Sequence, residues 1–324
     1  MYCLIRTIYD ERKSTTPYYR IFHEEGFHDD EDDEDDHADK EDAGKEFNYY
    51  RSLHEIKYKN NILNIHILKM LYVSFTCLPS RKYNLPLILS SIEEQSLVPD
   101  VVIIQYPKKS IRLNTIYEPI DYLITSRTYK FTLKVNYTND YGPITKLYPL
   151  LHMNLDDDDV IIIIDDDTKY NKFLFQCLYD NFKHETRQKC ICMSGLLYPT
   201  SLNSQYYCTR PGNDTQLMEA SFGYILKKSF ICSELSNWVP VFESYSEVKE
   251  NNWENSFLSD DFVFSKYLDH KNIKKKVALY HPSVNKHNVM MKSDCTSANA
   301  LSSLGHNLDK YFLSLSELKL RKLV

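Results

Sequence analysis

Two runs of aspartate flank five aliphatic residues in DDDDVIIIIDDD, Asp156 to Asp167. If the aliphatic run is a strand, it rises about 3.3 Å per residue and holds the two runs roughly 17 Å apart, at opposite ends of a sheet. In open α/β sheets ligands gather beyond the carboxyl ends of the strands, where loops and helix amino termini converge. Asp165 to Asp167 are therefore the run placed for chemistry, and Asp156 to Asp159 read as a solvated turn. In an extended backbone Asp165 and Asp167 point to one side and Asp166 to the other. Two convergent carboxylates suit one Mg²⁺ or Mn²⁺, hard cations that take oxygen ligands and usually arrive with a phosphate-bearing substrate. The alternative is that these aspartates cap a helix beginning near Tyr170, a task for which one of them suffices.

The elements that must position this run follow a strand-helix-strand rhythm. Order is expected from about Asn61, where ILNIHILKMLYVSF turns apolar and β-branched. Leu85, Leu87, Ile88, Leu89 and Ile92 then recur at helical spacing, PDVVIIQYP and KFTLKVNY read as strands, and ITKLYPLLHM as a short helix. The VIIII run lacks polar alternation, as a strand covered on both faces does. YNKFLFQCLYDNF is a further helix, which makes the expected class α/β. Later, KCICMSGLLY and EASFGYILKKSFI read as strands, SDDFVFSKYLDHKN as a capped helix, KKVALYH as a strand and LDKYFLSLSELKLRKLV as a terminal amphipathic helix packed on the body.

Charge is unevenly distributed. Glu24 to Glu46 holds fourteen acidic residues against Lys40 and Lys45, so the rest of the chain is net +6 although the whole is −6. Such a tract repels itself and is expected to be disordered, with partner binding as the sharper alternative. The mildly cationic remainder suits a phosphate-bearing ligand and does not indicate nucleic acid. Eight cysteines without paired CxxC spacing argue against a zinc site and for reduced thiols in an intracellular protein. Neither a signal peptide nor an apolar run long enough to span a membrane is found, so the expected location is cytoplasmic.

VIIIIDDDTKY resembles the DXD motif of nucleotide-sugar glycosyltransferases of the GT-A fold. LYVSFTCLPSRKYNLPLILSSIEEQSLVPDVVII is similar to the opening strand, helix and second strand of such enzymes. DYGPITKLYPLL resembles the segment before the DXD strand in a family-two-like subset that includes viral and bacterial sugar transferases. The resemblance covers about Leu71 to His281. It implies a mixed, mainly parallel sheet flanked by helices, a nucleotide-diphosphate sugar as donor, a hydroxyl acceptor such as a glycan, and Mn²⁺ or Mg²⁺ as the metal. It implies a transferase domain at 67–290, an N-terminal extension at 1–66 and a C-terminal helical segment at 291–324. Many family-two members carry acidic residues after the second strand for the nucleobase, whereas this chain has IQYPKKSIR.

Carried over, the resemblance makes Asp167 the direct metal ligand. Asp165 contacts metal, ribose or metal-bound water, Asp166 has no single role, and Arg81 lies where the nucleotide would sit. Lys146 would neutralise phosphate or ribose-side groups, or be an ordinary surface lysine. NSFLSDDFVFSKYL resembles the acidic motif that begins the acceptor-side helix of inverting members, so Asp261, or else Asp260, is the candidate general base. The competing role for both is helix capping. Glu219 would hold an acceptor hydroxyl, and His281 or His287 would add a third metal ligand. Two other readings stand beside this one. One is a haloacid-dehalogenase-like phosphatase with Asp165 as nucleophile; the other is an inactive sugar-binding protein on a transferase scaffold.

Overall fold

The computed structural model describes residues 69–125, 127–198, 207–280, 289–290 and 307–324, which fall in a compact unit spanning His66–Val324. The acidic tract, His281 and His287 lie outside the described residues.

Four β-branched and aromatic runs form β1 (Leu71–Thr76), β2 (Val101–Pro107), β3 (Thr132–Thr138) and β4 (Val160–Ile163). They pair in parallel in the order β4-β1-β2-β3. The second half adds β5 (Cys190–Cys192), β6 (Asp214–Thr215), β7 (Tyr224–Lys227) and β8 (Lys275–Val277). The full order is β6-β8-β5-β7-β4-β1-β2-β3. β7 runs antiparallel to both β4 and β5, whereas β8 lies parallel to β5. The fold is α/β, a mixed and mainly parallel sheet flanked by helices.

Strand alternation divides the core between the two faces. Val73, Phe75, Val102, Ile104 and Ile162 meet α1 (Leu85–Glu93) and α2 (Leu174–His184) through Ile88, Leu89, Phe175 and Leu178. Tyr72, Ile103, Ile161 and Ile163 point the other way, toward Leu147, Leu150 and the helices α3 (Glu254–Phe257) and α4 (Asp260–His270). Val160 to Ile164 are each no more than 1% exposed, and burying a side chain of this size contributes roughly 1.5–3 kcal/mol. That burial fixes where β4 ends. The terminal helix α5 (Asn307–Leu320) packs on α3 and α4, as its pattern predicts.

Some expectations change. ITKLYPLLHM forms not one helix but two 3₁₀ turns, Ile144–Lys146 and Tyr148–His152, with Leu147 between them at φ −123°. Pro149 removes the N–H that a continuous helix would need. The entry-side aspartates are also not all solvated. Asp156 to Asp158 are exposed, but Asp159 is buried and its carboxylate accepts from the amides of Met70 and Asp156. Asp158 pairs with Lys69 and Lys227, whose hydrogen bonds pull its carboxyl down to about 2. Cys77, Cys177, Cys190, Cys192, Cys208 and Cys232 are not joined in disulfides. Among the described residues no helix is long and apolar enough to cross a membrane.

One turn has no room for a side chain. Gly142 adopts φ +73°, and a Cβ there would lie 2.4 Å from the Phe257 carbonyl oxygen. Gly142→Ala should therefore cost at least about 1–3 kcal/mol, from the left-handed backbone and the clash together. Chemical denaturation measures it, and an unchanged midpoint would mean that the turn and α3 are not in contact.

Candidate functional site

At the carboxyl end of β4 the chain leaves extended geometry and turns at Asp166–Asp167. The alternation expected for the three aspartates therefore does not persist. Asp166 and Asp167 both meet Arg81, with oxygen to Nη1 distances of 2.8 and 3.1 Å, while Asp165 meets Lys146 at 2.6 Å. The Leu78 amide donates to Asp166 at 3.0 Å, and the Asp165 amide donates to the Tyr170 hydroxyl at 2.8 Å. None of the three caps the following helix: α2 starts at Leu174 behind Phe173, with no side-chain cap.

Arg81 comes from the 3₁₀ turn Pro79–Asn84 that follows β1, and Lys146 from the turn that follows Gly142. Lys146 is only 3% exposed, so it is not a surface lysine. Its Nζ also lies 2.8 Å from the Asp260 carboxylate on α4. One ammonium thus joins the DXD turn to the opposite helix. Ser259 stands at the N-cap of α4 but makes no side-chain cap, and Asp261 accepts from the Ala220 amide at 3.2 Å. Beside it, Glu219 accepts from the Ser194 hydroxyl at 2.5 Å.

The structure therefore brings Asp165, Asp166, Asp167, Arg81, Lys146, Asp260, Asp261 and Glu219 into one linked set. His281 lies outside the described residues. Sequence reasoning missed the support beneath Lys146. Ser74 donates to the Lys146 carbonyl at 2.6 Å, Gln105 to Ser74 at 3.3 Å, and Asn136 to Gln105 at 2.7 Å. This polar chain crosses β1, β2 and β3. Its signal was a polar residue interrupting each buried strand, Ser74 in LYVSFT and Gln105 in VVIIQYP. Ser194 and Tyr170 carried no comparable signal.

Electrostatics set the protonation states. Burial opposes the Lys146 charge, but Asp165, Asp260 and Asp261 outweigh it and hold its proton well above the ordinary lysine range. Burial pushes the Asp261 carboxyl well up, reinforced by Asp260, and burial raises Asp260 against the pull of Lys146. Asp167 is raised to about 6 by burial and then by Asp165 and Asp166, with Arg81 pulling the other way.

No group of three or more His, Cys, Asp or Glu side chains among the described residues is arranged to hold a metal ion. The donor chemistry nevertheless suits Mg²⁺ or Mn²⁺, which proteins commonly hold by one or two carboxylates with the remaining ligands from phosphate and water. Asp165 and Asp167 would offer those oxygens, and a cation would offset the burial and the neighbouring carboxylate charges that raise Asp167.

No family model and no curated protein matches the chain. Among solved structures it is similar to S. aureus TarS 1-349 in complex with UDP, at 15% identity and a TM-score of 0.39, over 66% of this chain and 58% of that one. A second structure of S. aureus TarS 1-349 gives 13% identity at the same TM-score and coverage. A longer TarS structure gives 14% identity and a TM-score of 0.34, over 35% of its length. The chain thus spans less than two thirds of the structures it resembles.

Removing the bridging ammonium should leave the buried Asp260 and the half-buried Asp165 uncompensated. Lys146→Met is expected to lose roughly 3–5 kcal/mol in chemical denaturation, and adding Asp260→Asn should restore part of it. Asp167 acts in the opposite sense. Its folded-state pKa of about 6 lies above its ordinary 3.8, so its contribution to stability is full below 3.8 and lost as pH rises through 6. In chelator-treated protein, Asp167→Asn should raise stability by an amount on the order of 2 kcal/mol at pH 8 and by little at pH 4. Equal gains at both pH values would refute the electrostatic origin.

Proposed function

We propose that this chain is a GT-A-like glycosyltransferase, with its transferase domain at 67–290, that moves a sugar from a nucleotide-diphosphate donor to a hydroxyl acceptor with inversion. The observation that carries this reading is the buried Lys146 bridge, which sets the DXD turn and the acidic start of α4 on either side of one cation. Donor-side and acceptor-side carboxylates then belong to a single site, as a direct displacement requires.

In this reading Asp165 and Asp167 hold Mn²⁺ or Mg²⁺. When bound, the ion supplies Lewis-acid stabilisation of the charge on the departing nucleotide. Arg81 fixes Asp166 and Asp167 in place, and Lys146 holds Asp165 of the DXD turn against Asp260. Asp261 is the general base. It takes the proton of the acceptor hydroxyl as that oxygen attacks the anomeric carbon, while the bond to the diphosphate breaks and its electrons leave with the nucleotide. Burial and the neighbouring Asp260 raise the Asp261 carboxyl, which makes its carboxylate a stronger base than an exposed one. Asp260, tied to Lys146, orients rather than abstracts. Glu219, whose carboxylate accepts from the Ser194 hydroxyl, holds an acceptor hydroxyl in this reading.

A thermal-shift screen of UDP-, GDP- and dTDP-sugars with Mn²⁺ tests the proposal. One donor should stabilise the protein only with the metal, by about 2.7 kcal/mol at a hundredfold excess over its dissociation constant, and Asp167→Ala should abolish the effect. If no sugar nucleotide stabilises the wild type, or the variant responds equally, the reading is wrong. Saturable binding without turnover across an acceptor panel would instead identify an inactive sugar-binding scaffold.

A further inference from the structure

The short helix α3 lies between the two elements that carry the Lys146–Asp260 pair, and four residues cannot hold themselves helical. Trp253 at its N-cap offers no side-chain acceptor, so its first-turn amides need partners from elsewhere. Those partners come from the far end of the chain. Glu317 on α5, 8% exposed, accepts from the Asn255 amide at 3.1 Å, the Asn255 side-chain amide at 2.8 Å and the Ser256 amide at 2.7 Å. We infer that Glu317 is a positioning residue for the acceptor side of the site, acting through α3 on the meeting of Lys146 with Asp260.

The path is short at both ends. Phe257 closes α3, and its carbonyl abuts Gly142, four residues before Lys146. Two residues after Phe257, the Ser259 carbonyl accepts from the Phe262 and Val263 amides at 3.1 and 3.0 Å and so starts the helix that carries Asp260 and Asp261. Two further contacts fasten α5 to the same region. The Arg321 guanidinium lies 4.4 Å over the Trp253 ring, and Tyr311 stacks on Phe262 with centroids 5.5 Å apart. Arg81, Asp166 and Asp167 are held differently, by their own ion pairs and the Leu78 amide. Loosening α3 should therefore disturb Asp260 and Asp261, and Asp165 through Lys146, and spare Asp166 and Asp167. The carboxylate matters as such, because its two oxygens serve three donors in charge-assisted bonds that a neutral side chain reproduces only in part.

This inference rests on the transferase reading for its kinetic consequence but not for its structural one, and the test separates them. Glu317→Ala and Glu317→Gln are compared with wild type by hydrogen exchange and by steady-state kinetics on the full chain. Exchange should quicken by roughly 10-fold at Asn255 to Val263 and at Thr145 and Lys146, with β1, β2 and α1 unchanged. The turnover number of Glu317→Ala should fall by roughly 10- to 100-fold, well beyond any rise in the Michaelis constant for the donor. Glu317→Gln should lie between, and it keeps the test decisive if the alanine variant does not fold. The inference is overturned if exchange at α3 and α4 is unchanged, if it rises evenly across the sheet, or if donor affinity falls in step with turnover. Should the wild type turn over no sugar nucleotide, the transferase reading falls while the exchange pattern still decides the role of Glu317.

Discussion

A single buried ammonium organises this molecule's candidate site. Lys146 sits between the half-buried Asp165 and the buried Asp260, and these carboxylates, with Asp261, keep it charged where burial alone would strip its proton. Each partner comes from a different part of the chain: Asp165 from the end of β4, Asp260 from the start of α4, and Lys146 from a turn between β3 and β4. A buried charge is costly unless it is paired and hydrogen-bonded, so the three elements have to arrive together. The surrounding structure serves that meeting. Gly142 lets the turn approach α3, and the polar chain from Asn136 to Ser74 grips the Lys146 carbonyl from beneath.

Much of this was legible in the sequence because it rests on short-range pattern. An aliphatic run without polar alternation announced a doubly covered strand, and its length set which aspartates would emerge at the sheet's carboxyl edge. The helices α1, α2 and α4 followed from apolar spacing. What failed did so where tertiary pairing overrode local rules. The three aspartates do not alternate, because Arg81 reaches two of them and bends the exit of β4 into a turn. Nor do Asp260 and Asp261 act primarily as caps, because a lysine and a backbone amide from other elements claim their oxygens.

Partners remote in sequence were out of reach of such reasoning. Nothing in LYVSFT says that Ser74 will meet the carbonyl of a residue 72 positions later. Similarly, the terminal helix was recognisable as amphipathic, but its acidic residues looked interchangeable. Only the fold shows that Glu317 enters the interior to meet α3. Both cases share a cause: a buried hydrogen bond leaves a trace in composition as an out-of-place polar residue, but no trace of the identity of its partner.

The chain of Asn136, Gln105 and Ser74 has a consequence for how this protein can diverge. Each member spends its hydrogen bond on the next, and Gln105 and Ser74 are fully buried. A replacement at any one leaves a neighbour's polar atom stranded inside the sheet, at a cost comparable to a sizeable fraction of a domain's total stability. The three strands are therefore locked as an inherited triplet. Drift is tolerated on the outer edge of β3 and in the loops, while these three positions can be exchanged only in concert.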